Sequence, residues 1–538
     1  MVNTPRGPSQ NPSREPSRDT IQPNSTPPAG SPVQASGVPS HESTRRTPDR
    51  RSTHSSRVSS ASSRNVVVDQ RSVESLGLSI RDRPRHGGPT EVIDKFEVKN
   101  TWEAAKTYDF IGARGEGRKC NVLESIGHLV KSCLGGGIVA IHESYKTCGL
   151  WTALVLNVFL GFAVSYCMLI LAKSAQRMYG RVQVPKMTFP DLAQASLEVG
   201  PWPKWKKCAK CFRYCVDATI TIDLFGSCCV YQVVISRTIK QLVENTDSVT
   251  NEGSGSYPSI RVYIICLLIP CILICMITTL KYLAPFSIVA DVFIVIVAIA
   301  TIYYGVRFHT KSPLDFKIFG TVPGLFEFMG VCVFSMEGVG VTLAIENSMQ
   351  EPRKFPIVLA GGMSIVVAMV MTVGFFGYWG FGENSKSPVT VNFPMEIFPI
   401  ILKVFMALMI YVTFALNFWV PFELVWYYLK KRHPAEKYWL WERVYRAIFV
   451  LGITLIAVTF PNVSKFMGVL GSFCLSNMGF IFPAFIELSI DWEEPGLGFM
   501  KWRLIKFIII LLFGIALCCV GTYTNVKELI TEVFFTKK

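Results

Sequence analysis

Charge is scarce in this chain, and scarcest where the chain is most apolar. Only 17% of the 538 residues are Asp, Glu, Lys or Arg, while 50% are hydrophobic, and the mean hydropathy is +0.34. Ordinary soluble domains carry roughly 25% charged residues, so the composition excludes a soluble globule of the usual kind. Catalytic signatures are missing as well. There is no HExxH, no nucleophile elbow and no Walker loop, and the adjacent pair His142–Glu143 lacks the spacing of a metal site. An enzyme is not expected, nor a cofactor. No segment repeats as equivalent pore helices, which speaks against a channel. The first hundred residues, beginning MVNTPRGPSQNPSREPSR, contain no apolar h-region, so no signal peptide is read there.

What is there falls into three parts. Residues 1–100 are rich in Ser, Pro and Arg and bury too little surface to offset chain entropy, so they are expected to form a disordered tail. Residues 101–530 form the membrane domain, and 531–538 a short C-terminal tail. Apolar runs recur at about the twenty-residue length that crosses ~30 Å of hydrocarbon. The expected spans are 122–146, 151–173, 214–239, 260–279, 282–305, 322–345, 355–382, 396–428, 441–460, 463–488 and 501–524, eleven in all. The fold class is therefore an all-α integral membrane protein.

The net charge of +15 does not indicate nucleic-acid binding. Basic residues gather in the tail and in two connections, Lys173 to Arg213 and Lys430 to Lys437. Such loops set membrane orientation. They place the tail in the cytosol and, after an odd number of crossings, the C-terminus outside or in a lumen. The membrane is read as the plasma membrane, with an endosomal or lysosomal one as the alternative. Oligomeric state is not legible. Most of the sixteen cysteines lie within spans or in the cytosolic loop, where disulfides are not expected. Cys208, Cys211 and Cys215 have no fourth ligand nearby, so no metal site is read.

Two spans are interrupted by glycine. The first reads HLVKSCLGGGIVAIHESYK, with Gly135, Gly136 and Gly137 in its middle; the sixth reads FMGVCVFSMEGVGVTLAIEN, with Gly338 and Gly340 after Glu337. Inside a bilayer, backbone leaves the helix only where protein or a water-filled cavity satisfies its freed groups. Interrupted spans in corresponding halves point to the substrate site of a secondary transporter. Freed N–H groups suit a carboxylate and freed carbonyls suit an ammonium, so a zwitterion fits between such breaks. The Gly135–Gly137 run would supply N–H groups, and Ser335, Met336 and Glu337 carbonyls. A glycine cluster also serves plain helix packing. Breaks in the first and sixth of eleven spans fit an inverted repeat of five plus five with one helix extra.

Ionisable residues within spans are functional candidates because lipid burial is costly. His128, about two turns before the glycines, and Glu337, inside the second break, are the proton-coupling candidates. His142 and Glu143 lie beyond the first break, where they line a vestibule or snorkel to the surface. Asp223 and Asp291 have no obvious local partner, and Lys131 or Lys281 is a possible one.

The stretches HLVKSCLGGG, FSMEGVGVTLAIENSMQEPRKFP, GYWGFGENSKSPVTVNFP and TFALNFWVPFEL resemble, in order and spacing, the proton-coupled amino acid transporter family of the amino acid/auxin permease group. The resemblance spans about residues 120–530. It implies a LeuT-type fold, eleven spans, and symport of small neutral amino acids with protons, driven by the transmembrane proton gradient and needing no cofactor. It matches His128 to a histidine important for transport and Glu337 with its glycines to the broken sixth helix. Gly136 replaces the family's threonine, and His142 and Glu143 replace small and apolar residues. The loop ending near Tyr257 holds no cysteine, which excludes an external disulfide there. An alternative function is an amino acid sensor signalling through its cytosolic tail.

Overall fold

A computed structural model describes residues 95–99, 101–115, 119–134, 136–246, 257–277, 284–309 and 311–535. The expected disordered tail lies outside these residues except for residues 95–99. Those five belong to the helical body: Phe96 is buried and its N–H donates to Glu198, and the Lys99 N–H donates to the Arg181 carbonyl at 3.1 Å.

The described residues are helical, with one isolated bridge between Cys120 and Met349. Seven helices among them are long and apolar enough to cross a membrane: Leu150–Val182, Ala209–Glu244, Val322–Ser348, Pro352–Asn384, Ile397–Arg432, Val463–Asp491 and Phe499–Thr531. The four other expected crossings are also helical among the described residues. The first is broken after Cys133 and resumes at Ile141. The fourth is divided at Leu267 into Ile260–Cys266 and Leu268–Cys275. The fifth runs as Ala284–Phe308. The ninth, Tyr438–Thr459, carries Glu442, Arg443 and Arg446 in its first half.

Local sequence sets the helix starts near the site. The Asn121 N–H donates to the Glu124 carboxylate at 3.0 Å, closing the first turn of Val122–Cys133. Thr321 Oγ1 accepts the Gly324 N–H at 3.1 Å, and Pro323 stands in the first turn, where no N–H is needed.

One wall of the core is an aromatic ladder. Phe414, Phe418, Phe422 and Trp426 recur every fourth residue of Ile397–Leu429 and stack on one another, the spacing that puts side chains on one helix face. Phe225 and Phe449 pack against them. Arg446, buried over Phe422, pairs with Glu423 at 3.1 Å and Glu442 at 3.0 Å, so the charge needed to join these helices is neutralised where it is buried.

A second buried network holds the outer ends of two half-helices. Arg114 pairs with Glu346 at 3.0 Å, both side chains almost wholly enclosed, and Glu346 also accepts from Tyr179 and Gln176. Beside it the Cys120 N–H donates to the Ser348 carbonyl at 2.8 Å, and the Gln350 N–H donates to the Cys120 carbonyl at 3.0 Å. The start of Val122–Cys133 is thereby stitched to the end of Val339–Ser348.

Candidate functional site

Both glycine-marked stretches leave the α-helix. Val122–Cys133 stops, a tight 3-10 turn runs from Gly136 to Val139, and helix resumes as Ile141–Cys148. Gly135 lies outside the described residues. Val322–Ser335 likewise stops, Met336 to Gly338 are non-helical, and Val339–Ser348 begins anew. Each restart presents N–H groups, and each stop carbonyls, that the helix does not use.

The interruptions pack on each other. A β-carbon at Gly137 would lie 2.6 Å from the Ser335 Cα, and one at Gly338 would lie 2.4 Å from the Cys133 Sγ. At Gly137 the neighbour is backbone and cannot move aside, so that approach admits only glycine; at Gly338 the neighbours are the Cys133 thiol and the end of the Met168 side chain. Gly136 sits against the ring of Tyr231, whose hydroxyl accepts from Asn417 at 3.1 Å. Gly340 differs: nothing stands within 4 Å of the side chain it lacks.

A cavity of about 490 Å³ opens where the interruptions meet, within the size range of small-molecule sites. Gly136, Gly137, Glu337, Gly338 and Gly340 form its wall at the breaks, and its far end reaches Tyr427 and Lys430. The opposite side of the breaks is covered by residues 385–393. There Arg237 donates to the carbonyls of Ser387 at 2.6 Å and Pro461 at 3.0 Å, and Gln241 donates to the Val391 carbonyl at 2.7 Å.

Other expected site residues stand elsewhere. Ser335 and Met336 are fully buried behind the cavity wall, with Ser335 Oγ donating to the Val331 carbonyl at 2.8 Å. His128 is half-buried on Val122–Cys133 and does not line the cavity, whereas Lys131 on the same half-helix does. His142 is buried under the covering segment, its Nε2 donating to the Lys386 carbonyl at 3.1 Å, and Glu143 accepts the Ser387 N–H at 3.2 Å. Cys208, Cys211 and Cys215 are exposed around the start of Ala209–Glu244.

Asp223 has a partner that the sequence reading did not name. It stands next to the Glu337 carboxyl in the cavity lining, not a lysine. Lys281 and the Asp291 side chain lie outside the described residues. Tyr231 and Asn417 were not singled out either; their only advance signal is polarity inside apolar spans. A second irregularity also went unread: the helix following Val463–Leu470 widens to π turns at Gly471–Leu475 and Asn477–Ile481, a feature frequent at functional sites.

Comparison with known proteins gives a consistent picture. Residues 118–526 match the family model described as transmembrane amino acid transporter protein. The chain is 34% identical over 418 residues to the proton-coupled amino acid transporter-like protein pathetic of Drosophila melanogaster, covering 76% of this chain and 85% of that one. It is 24% identical over 401 residues to amino acid transporter AVT3A of Arabidopsis thaliana, covering 74% and 88%. Among solved structures it aligns with the nucleobase-cation-symport-1 family transporter Mhp1 in a closed conformation with bromovinylhydantoin bound. That match has a TM-score of 0.43 and 11% identity, over 78% of this chain and 94% of that one.

Proposed function

Because the chain belongs to the transmembrane amino acid transporter family, we propose that it is a secondary transporter carrying small neutral amino acids together with protons through the cavity at the two helix breaks. The observation that carries this reading is the contact of Gly137 with Ser335 beside that cavity. It sets the freed peptide groups of one interrupted span against those of the other. Backbone N–H groups around Gly136 and Gly137 would receive the substrate carboxylate, and the Glu337 side of the second break its ammonium. A site built from main chain recognises what all amino acids share.

In this reading the eleven crossings form a LeuT-type inverted repeat of five plus five, with the last helix extra. The basic connections place the N-terminal segment in the cytosol. The cavity, which reaches Tyr427 and Lys430 next to one such connection, then faces the cytosol, while residues 385–393 close the outer side. Glu337 carries the coupled proton, and His128, toward the cytosolic end of the first half-helix, passes it on. The membrane is the plasma membrane, or else an endosomal or lysosomal one; imaging of the tagged chain separates them. The sensor reading has no observation of its own among the described residues and is not carried further.

The test is purified full-length protein in liposomes, given labelled glycine, alanine or proline with and without an inward proton gradient. Accumulation that follows the gradient supports the reading. Folded protein that takes up none of the three under either condition refutes it.

A further inference from the structure

Asp223 lies in the middle of Ala209–Glu244, fully buried, and neither carboxyl oxygen receives a hydrogen bond from any donor among the described residues. Its neighbour is Glu337, close enough for the carboxyls to bond directly once a proton lies between them. Both carboxyls line the cavity. Ionised carboxylates are acceptors only, so two that touch have nothing to exchange unless one is protonated. Among the described residues neither acid forms an ion pair with lysine or arginine.

The groups facing this pair do not supply the missing charge. From neighbouring elements come the thiols of Cys133 and Cys474, and from the same helix as Asp223 the phenol of Tyr231. Farther along the cavity stand Asp217, Lys131, Lys430 and Glu423, the last already paired with Arg446. Adjacent carboxyls in such surroundings titrate as one unit in two separated steps.

We propose that Asp223 and Glu337 hold a single proton between them, so that Asp223 is the second half of the proton-coupling site. Loading forms an O–H bond on one carboxyl oxygen and an O–H···O bond to the other carboxyl, and the pair keeps one negative charge. That charge is available to the ammonium of a bound amino acid. Unloading breaks the O–H bond and passes the proton to water in the cavity. Proton and substrate thus meet at one place, the lip of the second helix break. The proposal rests on the transport reading for its substrate but not for the shared proton itself.

Two measurements on the full-length protein separate the proposals. In liposomes, an imposed gradient of about two pH units, roughly hundredfold in proton activity, should drive wild-type accumulation of labelled alanine. In Asp223→Asn the gradient-driven accumulation should fall at least about tenfold, and by more than alanine counterflow without a gradient falls. Asp223→Glu, which restores the acid, should regain part of the coupling. Glu337→Gln should likewise lose the gradient-driven accumulation, and the double variant, left with no negative charge for the ammonium, should lose counterflow as well. Full accumulation by Asp223→Asn, or accumulation driven by a sodium gradient in place of protons, overturns the proposal.

The second measurement needs no substrate. Infrared difference spectra at neutral pH should show the carbonyl stretch of one protonated carboxylic acid that disappears in both Asp223→Asn and Glu337→Gln. Its absence from the wild type overturns the shared proton. Its presence without alanine transport keeps the pair and rejects the substrate reading.

Discussion

Gly137 and Ser335 touch so closely that the first has no room for a side chain: a β-carbon there would lie 2.6 Å from the second residue's Cα. The partner atom is backbone and cannot swing aside. Gly137→Ala should therefore force the two breaks apart at an overpacking cost of about 1–3 kcal/mol, lowering the melting temperature in detergent. Gly340→Ala, where nothing stands within 4 Å, should melt like the wild type. If Gly340→Ala nonetheless weakens alanine uptake, the loss reports cavity space and not folding.

Arg114→Ala should be the most destabilising single change among those considered. It leaves Glu346 enclosed with only the Tyr179 hydroxyl and the Gln176 amide as donors. Breaking a buried pair from one side costs about 3–5 kcal/mol. Adding Glu346→Gln to Arg114→Ala should recover part of the loss, since no uncompensated charge then remains. Thermal melting of the four proteins gives the comparison, and simple additivity would count against a buried-charge origin.

The cover formed by residues 385–393 depends on Arg237, which bridges the carbonyls of Ser387 and Pro461. Arg237→Ala should leave both carbonyls short of a donor, at about 1–3 kcal/mol, and loosen residues 385–393. Hydrogen exchange in that segment should rise while exchange in Ile397–Leu429 stays unchanged.

Lys386 sits in the same cover, and partial burial, with the nearby Arg237 charge adding to it, lowers its pKa below the usual lysine value. The unfolded chain therefore binds more protons than the folded one over the window between the two pKa values, and stability rises with pH through it. The benefit is complete above the ordinary value of 10.5 and is lost as pH falls through the folded one. Lys386→Met should accordingly slow exchange of residues 385–393 at neutral pH, with the difference from wild type shrinking toward the alkaline end.

The helix breaks were readable in the sequence because glycine runs and an acid inside an apolar stretch violate what lipid tolerates. The same argument marked Asp223 as a residue in need of a partner, but it could not choose Glu337 over Lys131 or Lys281. Periodicity gives the face of a helix, not the identity of the helix across from it. His142 shows this limit. Its position just past the first break suggested a vestibule, while the structure sets it beneath Lys386, in a connection more than two hundred residues away. The π turns at Gly471–Leu475 and Asn477–Ile481 were not legible in the sequence; the structure sets Gly471, which opens the first of them, against the Gly330 backbone.

The paired main-chain bonds that join Cys120 to Ser348 and Gln350 have a mechanical consequence. Val122–Cys133 and Val339–Ser348 cannot swing independently, because each is riveted to the other at the end away from the cavity. Any opening or shutting on that side would move them as one door leaf, hinged where both leave the α-helix. A crosslink placed between these two half-helices would then leave turnover intact, whereas one tying either of them to Ile397–Leu429 would jam it.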